Sequence, residues 1–183
     1  MGMTRGITAK VLREFILQEH GEEGLERLVE QLPPEQRKHL NSPYTLQWTE
    51  IEFSVGVIEA IARAFGRNPQ EIARQVGAFS AGNTIGTFYR FLLSTAAPAT
   101  IVEKFPSLWK TYSNTGEVAE CQVEGNRGAL VLTGFTDAGL SCHTLCGFVQ
   151  KALEMAGARN VQVNHTECAA HGGAKCRFEM TWS

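Results

Sequence analysis

"NVQVNHTECAAHGGAKCRFEMTW", residues 160 to 182, reads as two alternating runs joined by a turn that contains two glycines. Side chains on a strand point alternately to its two faces. In the first run Val161, Val163 and His165 therefore share a face, and in the second Cys176, Phe178, Met180 and Trp182 do. If those are the buried faces, the segment is an antiparallel hairpin that directs His165 and Cys176 at the core. Cys168 and Cys176 flank the turn, so the hairpin also brings two thiols together beside one imidazole. An ideal strand sends residues three apart to opposite faces. His165 and Cys168 can thus meet at one point only if the strand ends or bulges between them.

Working outward, "SCHTLCGFVQKALEMAG", residues 141 to 157, has helical spacing, with Leu145, Phe148, Val149, Ala152 and Ala156 on one face and Gly157 as the stop. Upstream, "EVAECQVEGNRGALVLTGF" alternates again, with Ala119, Cys121 and Val123 on one face and "EGNRG" as the turn. Residues from about 116 to 183 are therefore expected to form a ββαββ unit, a four-stranded antiparallel sheet with one covering helix.

The preceding part, to about residue 113, is expected to be helical. Ile7, Val11 and Phe15 mark a first helix ending at Gly21, and "EEGLERLVEQL" a second that stops at Pro33-Pro34, followed by a polar connection, "EQRKHLNSPYT". Ile51, Val55, Ile58, Ala62 and Phe65 mark a third, closed by Gly66. Asn68-Pro69 opens the next, because a side-chain acceptor followed by proline is a favourable helix start. Its second half carries Gly77, Gly82 and Gly86 among aromatic residues. Such glycines permit close helix packing or leave a gap between rings, for which Phe79, Phe88, Phe91 and Trp109 are the candidate pocket residues. A further stretch, "APATIVEKFPSLWKTY", is expected to kink or break at Pro106. The fold class is α+β: one domain over 1–183, an N-terminal helical bundle packed on the C-terminal sheet.

A chain of 183 residues, 43% hydrophobic and 20% charged, has the composition of an ordinary globular domain. Its formal charge of -2 and scattered Lys and Arg leave no basic stripe for nucleic acid. The first twenty residues interleave charges with apolar side chains, unlike a signal peptide or membrane span, so a cytoplasmic location is expected. In a reducing compartment five cysteines point to thiolate ligands, reactive thiols or buried residues rather than disulfides. A tetrahedral zinc site takes four nitrogen or sulfur donors, and the thiols able to join His165, Cys168 and Cys176 are Cys142 and Cys146 on the covering helix. A helix N-terminus favours a thiolate, which makes Cys142 the better fourth donor. Two other readings stand beside zinc: buried thiols with one core histidine, and a redox pair, although no Cys-x-x-Cys is present.

"SCHTLCGFVQKALEMAG" and "HTECAAHGGAKCRFEM" resemble the 4-vinyl-reductase-like small-molecule-binding domain through Cys142, Gly147, Cys168, Gly172, Cys176 and Phe178. The resemblance implies a structural zinc held by three cysteines and an acidic residue. That last position is His165 here, an equally good donor, with Glu167 and His171 as alternative ligands. "GITAKVLREFILQEHGEEGLERL" and the order helices, hairpin, helix, hairpin resemble the haem-dependent nitric-oxide sensor domains. Those use an axial histidine in the helix before the hairpin and a Tyr-x-Ser-x-Arg motif. Neither occurs here, so zinc and no haem is the expected cofactor state.

The function expected is a non-enzymatic sensory or ligand-binding domain with a small apolar or aromatic ligand between helices and sheet. It would act as a homodimer or through a separate output protein. An alternative is a dimeric adaptor module like the vesicle-tethering subunits, without a ligand. A further alternative is an accessory protein or reductase of tetrapyrrole metabolism, although no nucleotide-binding glycine motif, Ser-His-Asp order or paired carboxylates beside a nucleophile is found.

Overall fold

The computed structural model describes residues 2–5, 8–41, 48–84, 97–135 and 139–183. Among these, helices α1 (Thr8–Gln31), α2 (Pro34–Leu40), α3 (Ile51–Phe65), α4 (Pro69–Thr84), α5 (Pro98–Tyr112) and α6 (Leu140–Met155) are combined with strands β1 (Met3–Arg5) and β2 (Trp48–Glu50), and with β3 (Glu117–Glu124), β4 (Arg127–Thr133), β5 (Gln162–Glu167) and β6 (Cys176–Thr181). The last four form one antiparallel sheet in the order β3-β4-β6-β5. The α+β class and the ββαββ arrangement are as the sequence predicts.

The helix boundaries follow the local chemistry. The backbone leaves helical geometry at Gly21 (φ 68°, ψ −172°), so α1 is bent where the sequence places a stop. Asn68 Oδ1 accepts the Gln70 N–H at 2.8 Å and caps α4, while Gly66, at φ 63°, closes α3 in the left-handed conformation. Three features depart from expectation. "PEQRKHL" is a helix: proline suits its first position, Leu40 is buried, and Arg37 donates to the Glu30 and Leu32 carbonyls. Pro106 lies inside a continuous α5 rather than ending it. The register of β3 shifts between Val118 and Glu120, so Ala119 is exposed while Val118 turns inward with Cys121 and Val123.

Two buried clusters make up the interior. One joins α1 to α4 through residues such as Leu12, Ile16, Leu28, Ile58, Ile61 and Ile72. The other lies on the inner face of the sheet and contains Leu130, Leu132, Phe178 and Met180, with Val102 and Phe105 from α5. Helix α6 is buried on two sides: Cys142, Cys146, Val149 and Leu153 join the sheet cluster, and Gly147 meets α4. A Cβ on Gly147 would lie 1.9 Å from the Arg74 carbonyl oxygen, and one on Gly77 would lie 1.9 Å from that of Thr144. The glycines of α4 and α6 thus bring the two backbones into contact. For Gly77 the close-packing reading holds; a Cβ on Gly82 would meet no atom of the described residues, and Gly86 lies outside them.

Candidate metal centre

The β5–β6 hairpin resolves the difficulty with strand phase. His165 pairs with Phe178, but Glu167 pairs with Arg177, so Thr166 is an extra residue opposite no partner of its own. One inserted residue reverses the inward–outward alternation. Glu167 is thereby turned to the Arg177 side, and Cys168, the next residue, to the side of His165, Phe178 and Cys176. The chain then enters a single 3-10 turn, Ala169–His171, whose preceding residue is Cys168. The Cys168 carbonyl accepts the N–H groups of His171 at 3.1 Å and Gly173 at 2.9 Å. Gly172 has φ 85°, and a Cβ on Gly173 would meet the Cys168 oxygen at 2.8 Å, so this turn requires both glycines.

From the first turn of α6, Cys142 completes the group. One donor atom from each of Cys142, His165, Cys168 and Cys176 lies within 4.8 Å of the others. The Cys142 and Cys176 sulfurs are 3.6 Å apart. Sulfurs about 2.3 Å from a tetrahedral first-row ion would be roughly 3.8 Å apart, so this spacing fits a common centre. Cys146 is buried one helical turn away and is not in the group. Glu167 and His171 are not in it either.

The surroundings are those of a donor set. His165 is stacked on Phe178, with centroids 4.7 Å apart and planes 9° from parallel, and its Nε2 is buried without a hydrogen-bond partner. A buried nitrogen in that state needs an explanation, and a cation beside it is one. Burial pulls His165 below the ordinary imidazole range, which favours the neutral, ligating form; the nearby His143 acts in the same direction. Burial pushes the thiols of Cys142 and Cys176 up, and for Cys142 the adjacent Cys176 adds to this. A bound cation reverses such an ordering, because a coordinated thiol is deprotonated outright. The Ala169 N–H points at the Cys176 sulfur from 3.5 Å, as expected where a thiolate is to be held. Cys146 is raised by burial to about 11.

On the outer side, His143, His165, Glu167, Cys168 and His171 border an open depression of about 520 Å³. Arg74 of α4 reaches across to donate to the Val163 carbonyl on β5 at 3.2 Å and 3.3 Å. Its role was not legible in the sequence, where 89 positions separate it from Val163. Of the four candidate pocket residues, the described structure places two, in different clusters. Phe79 packs in the helical cluster against Phe15, with centroids 5.6 Å apart. Trp109 lies in the sheet cluster beside Phe105 and Phe135, and its Nε1–H is directed at the Thr115 and Gly116 carbonyls. Phe88 and Phe91 lie outside the described residues.

No family model matches the chain, and no curated protein does. Solved structures do. An H-NOX protein from S. oneidensis in the Fe(II)NO ligation state superposes with a TM-score of 0.76 at 16% identity, covering 98% of this chain and 99% of that one. An Fe(II) unliganded H-NOX protein from K. algicida gives 0.74 at 10% identity, over 98% and 96%. An NMR structure of the Shewanella oneidensis domain in the Fe(II)CO state gives 0.75 at 16% identity, over 98% of each chain.

These matches overturn the expected cofactor state of zinc and no haem. The group that the fold implies is the haem of the nitric-oxide sensors, since the matched structures are H-NOX proteins recorded in Fe(II) states. The expectation of no haem rested on an absent axial histidine and an absent Tyr-x-Ser-x-Arg motif, whereas the fold is shared at 10–16% identity. Against the residues, the fit of that group is incomplete. The buried side chains of α5 are Val102 and Phe105, and the helix has no histidine, so α5 does not fit an axial role. The likeness, at these identities, shows one thing directly: over 98% of its length the chain has the H-NOX fold.

Proposed function

We propose that the chain is a non-enzymatic small-molecule sensor domain, in which the four-donor cluster holds a metal ion that pins the β5–β6 hairpin to α6. The observation that carries this reading is the convergence of Cys142, His165, Cys168 and Cys176 within 4.8 Å, achieved by a bulge and a glycine turn in the β5–β6 hairpin. Four protein ligands close a tetrahedral shell and leave no position for water, so the ion has a structural rather than a catalytic task. The sensor role is supported by the fold, since the solved H-NOX proteins include complexes with NO and CO. The pattern of cysteines and glycines shared with the 4-vinyl-reductase-like domain supports a ligand-binding rather than a catalytic domain. The signal would pass to a second copy of the chain or to an output protein.

Native mass spectrometry of protein purified without chelators tests the reading. One metal adduct per chain, lost on acidification and absent from Cys168→Ser, is expected, and no retained metal under any loading condition would refute it. Absorption in the Soret region after haem addition reads the fold's own cofactor in the same preparation. A dimeric adaptor without a ligand, the second reading, would show neither a small-molecule adduct nor a thermal shift with NO, CO or aromatic compounds.

A further inference from the structure

The four donors are not equally accessible. Cys142 and Cys176 are fully buried, whereas His165 and Cys168 are partly exposed and both border the open depression. The two partly exposed donors thus open the cluster toward this depression and the side chains at its mouth. These are chemically suited to receive a cation. His143, His171 and Glu167 line the depression, together with Thr166, Gly172 and Gly173. His171 is exposed, and its backbone is fixed by the hydrogen bond to Cys168, so its ring is tethered one turn from a cluster ligand.

We propose that this depression is the metal-exchange port of the cluster, with His171 as a transient donor that captures the incoming ion and accepts the leaving one. The inference rests on the reading of the four residues as a metal centre. A staging ligand lies on the path between solvent and the closed shell but not in the shell itself. By microscopic reversibility it accelerates loading and release equally and leaves the equilibrium unchanged. Glu167, which borders the depression, adds a negative charge that attracts cations as they approach.

The test is stopped-flow loading of the full chain with cobalt(II), followed through thiolate-to-metal absorption, and release into excess EDTA. In His171→Ala both rates should fall several-fold together, while the dissociation constant stays as in the parent. Glu167→Gln should slow loading in a salt-dependent way. Unchanged rates in both variants would overturn the port. A weaker equilibrium affinity in His171→Ala, carried by faster release alone, would also overturn it, because His171 would then be a resident ligand. If the parent shows no thiolate absorption and Cys168→Ser is indistinguishable from it, the metal centre itself fails, and the port with it.

Discussion

Replacing Gly147 by alanine tests the packing that carries Cys142 to the sheet. The new methyl carbon would lie 1.9 Å from the Arg74 carbonyl oxygen and 2.9 Å from the Arg74 Cα, both backbone atoms that no rotamer change can move. Carbon and oxygen need more than about 3 Å, so α4 and α6 must part by about 1 Å, and α6 is held from its other side by the sheet cluster. Overpacking costs about 1–3 kcal/mol, and a clash with backbone atoms belongs at the upper end, so it outweighs the roughly 1 kcal/mol that a helix gains from alanine in place of glycine. The control is Gly82→Ala in α4, where no atom of the described residues lies within 4 Å of the new carbon. There the propensity gain is unopposed. Urea unfolding should give a midpoint for Gly147→Ala that corresponds to a net loss of about 2 kcal/mol, the upper end of the overpacking cost less the propensity gain, and for Gly82→Ala a neutral or raised midpoint. Displacement of α6 should also weaken cobalt binding, since Cys142 moves with the helix. A Gly147→Ala variant within about 0.5 kcal/mol of the parent would refute the backbone contact.

Insertion of one alanine between Glu167 and Cys168 should move Cys168 one step along the strand and turn it away from His165, and the chain should lose the metal while keeping its circular dichroism. Cys176→Ser should lower the thermal midpoint of the metal-loaded protein markedly but change that of chelator-treated protein far less, because metal-binding free energy is also folding free energy. An equal drop in both states would make Cys176 a packing residue only. His20, remote from the cluster, is held below its ordinary value of 6.5 first by burial, which outweighs the opposing charge of Glu19. The unfolded chain therefore takes up the proton at higher pH than the folded one, and the His20 contribution present above pH 6.5 is lost as the pH falls through the lower folded value. His20→Gln should flatten that slope in thermal melts from about pH 7 to 5; an unchanged slope would assign the loss to other groups.

Elements governed by local rules were legible in the sequence. The cap at Asn68, the stops at Gly21 and Gly66, and the inward faces of Val163, Phe178 and Met180 follow from side-chain chemistry and period, and the structure has them. Single-residue irregularities were not. The alternation around Ala119 looks perfect as a string, but which residue bulges depends on β4 across the ladder. The Thr166 bulge could be stated only as a condition for His165 and Cys168 to meet, because strand register is a tertiary property. Arg74 and the Gly77–Thr144 and Gly147–Arg74 contacts depend on how two distant helices cross, which no local pattern encodes. The cofactor was misread for a related reason: the fold matches H-NOX proteins at 10–16% identity, and the expected motif for the haem ligand was sought in a helix that has no histidine.

X-ray absorption spectroscopy on protein purified without chelators, at the edge of whichever metal elemental analysis finds, addresses the cluster most directly. The account predicts one equivalent per chain in a shell of three sulfurs and one imidazole nitrogen, with the sulfur signal reduced in Cys142→Ser. A metal found only in a four-nitrogen equatorial shell, with Cys142, Cys168 and Cys176 all open to thiol reagents after mild unfolding and no sulfur at the metal, would contradict it.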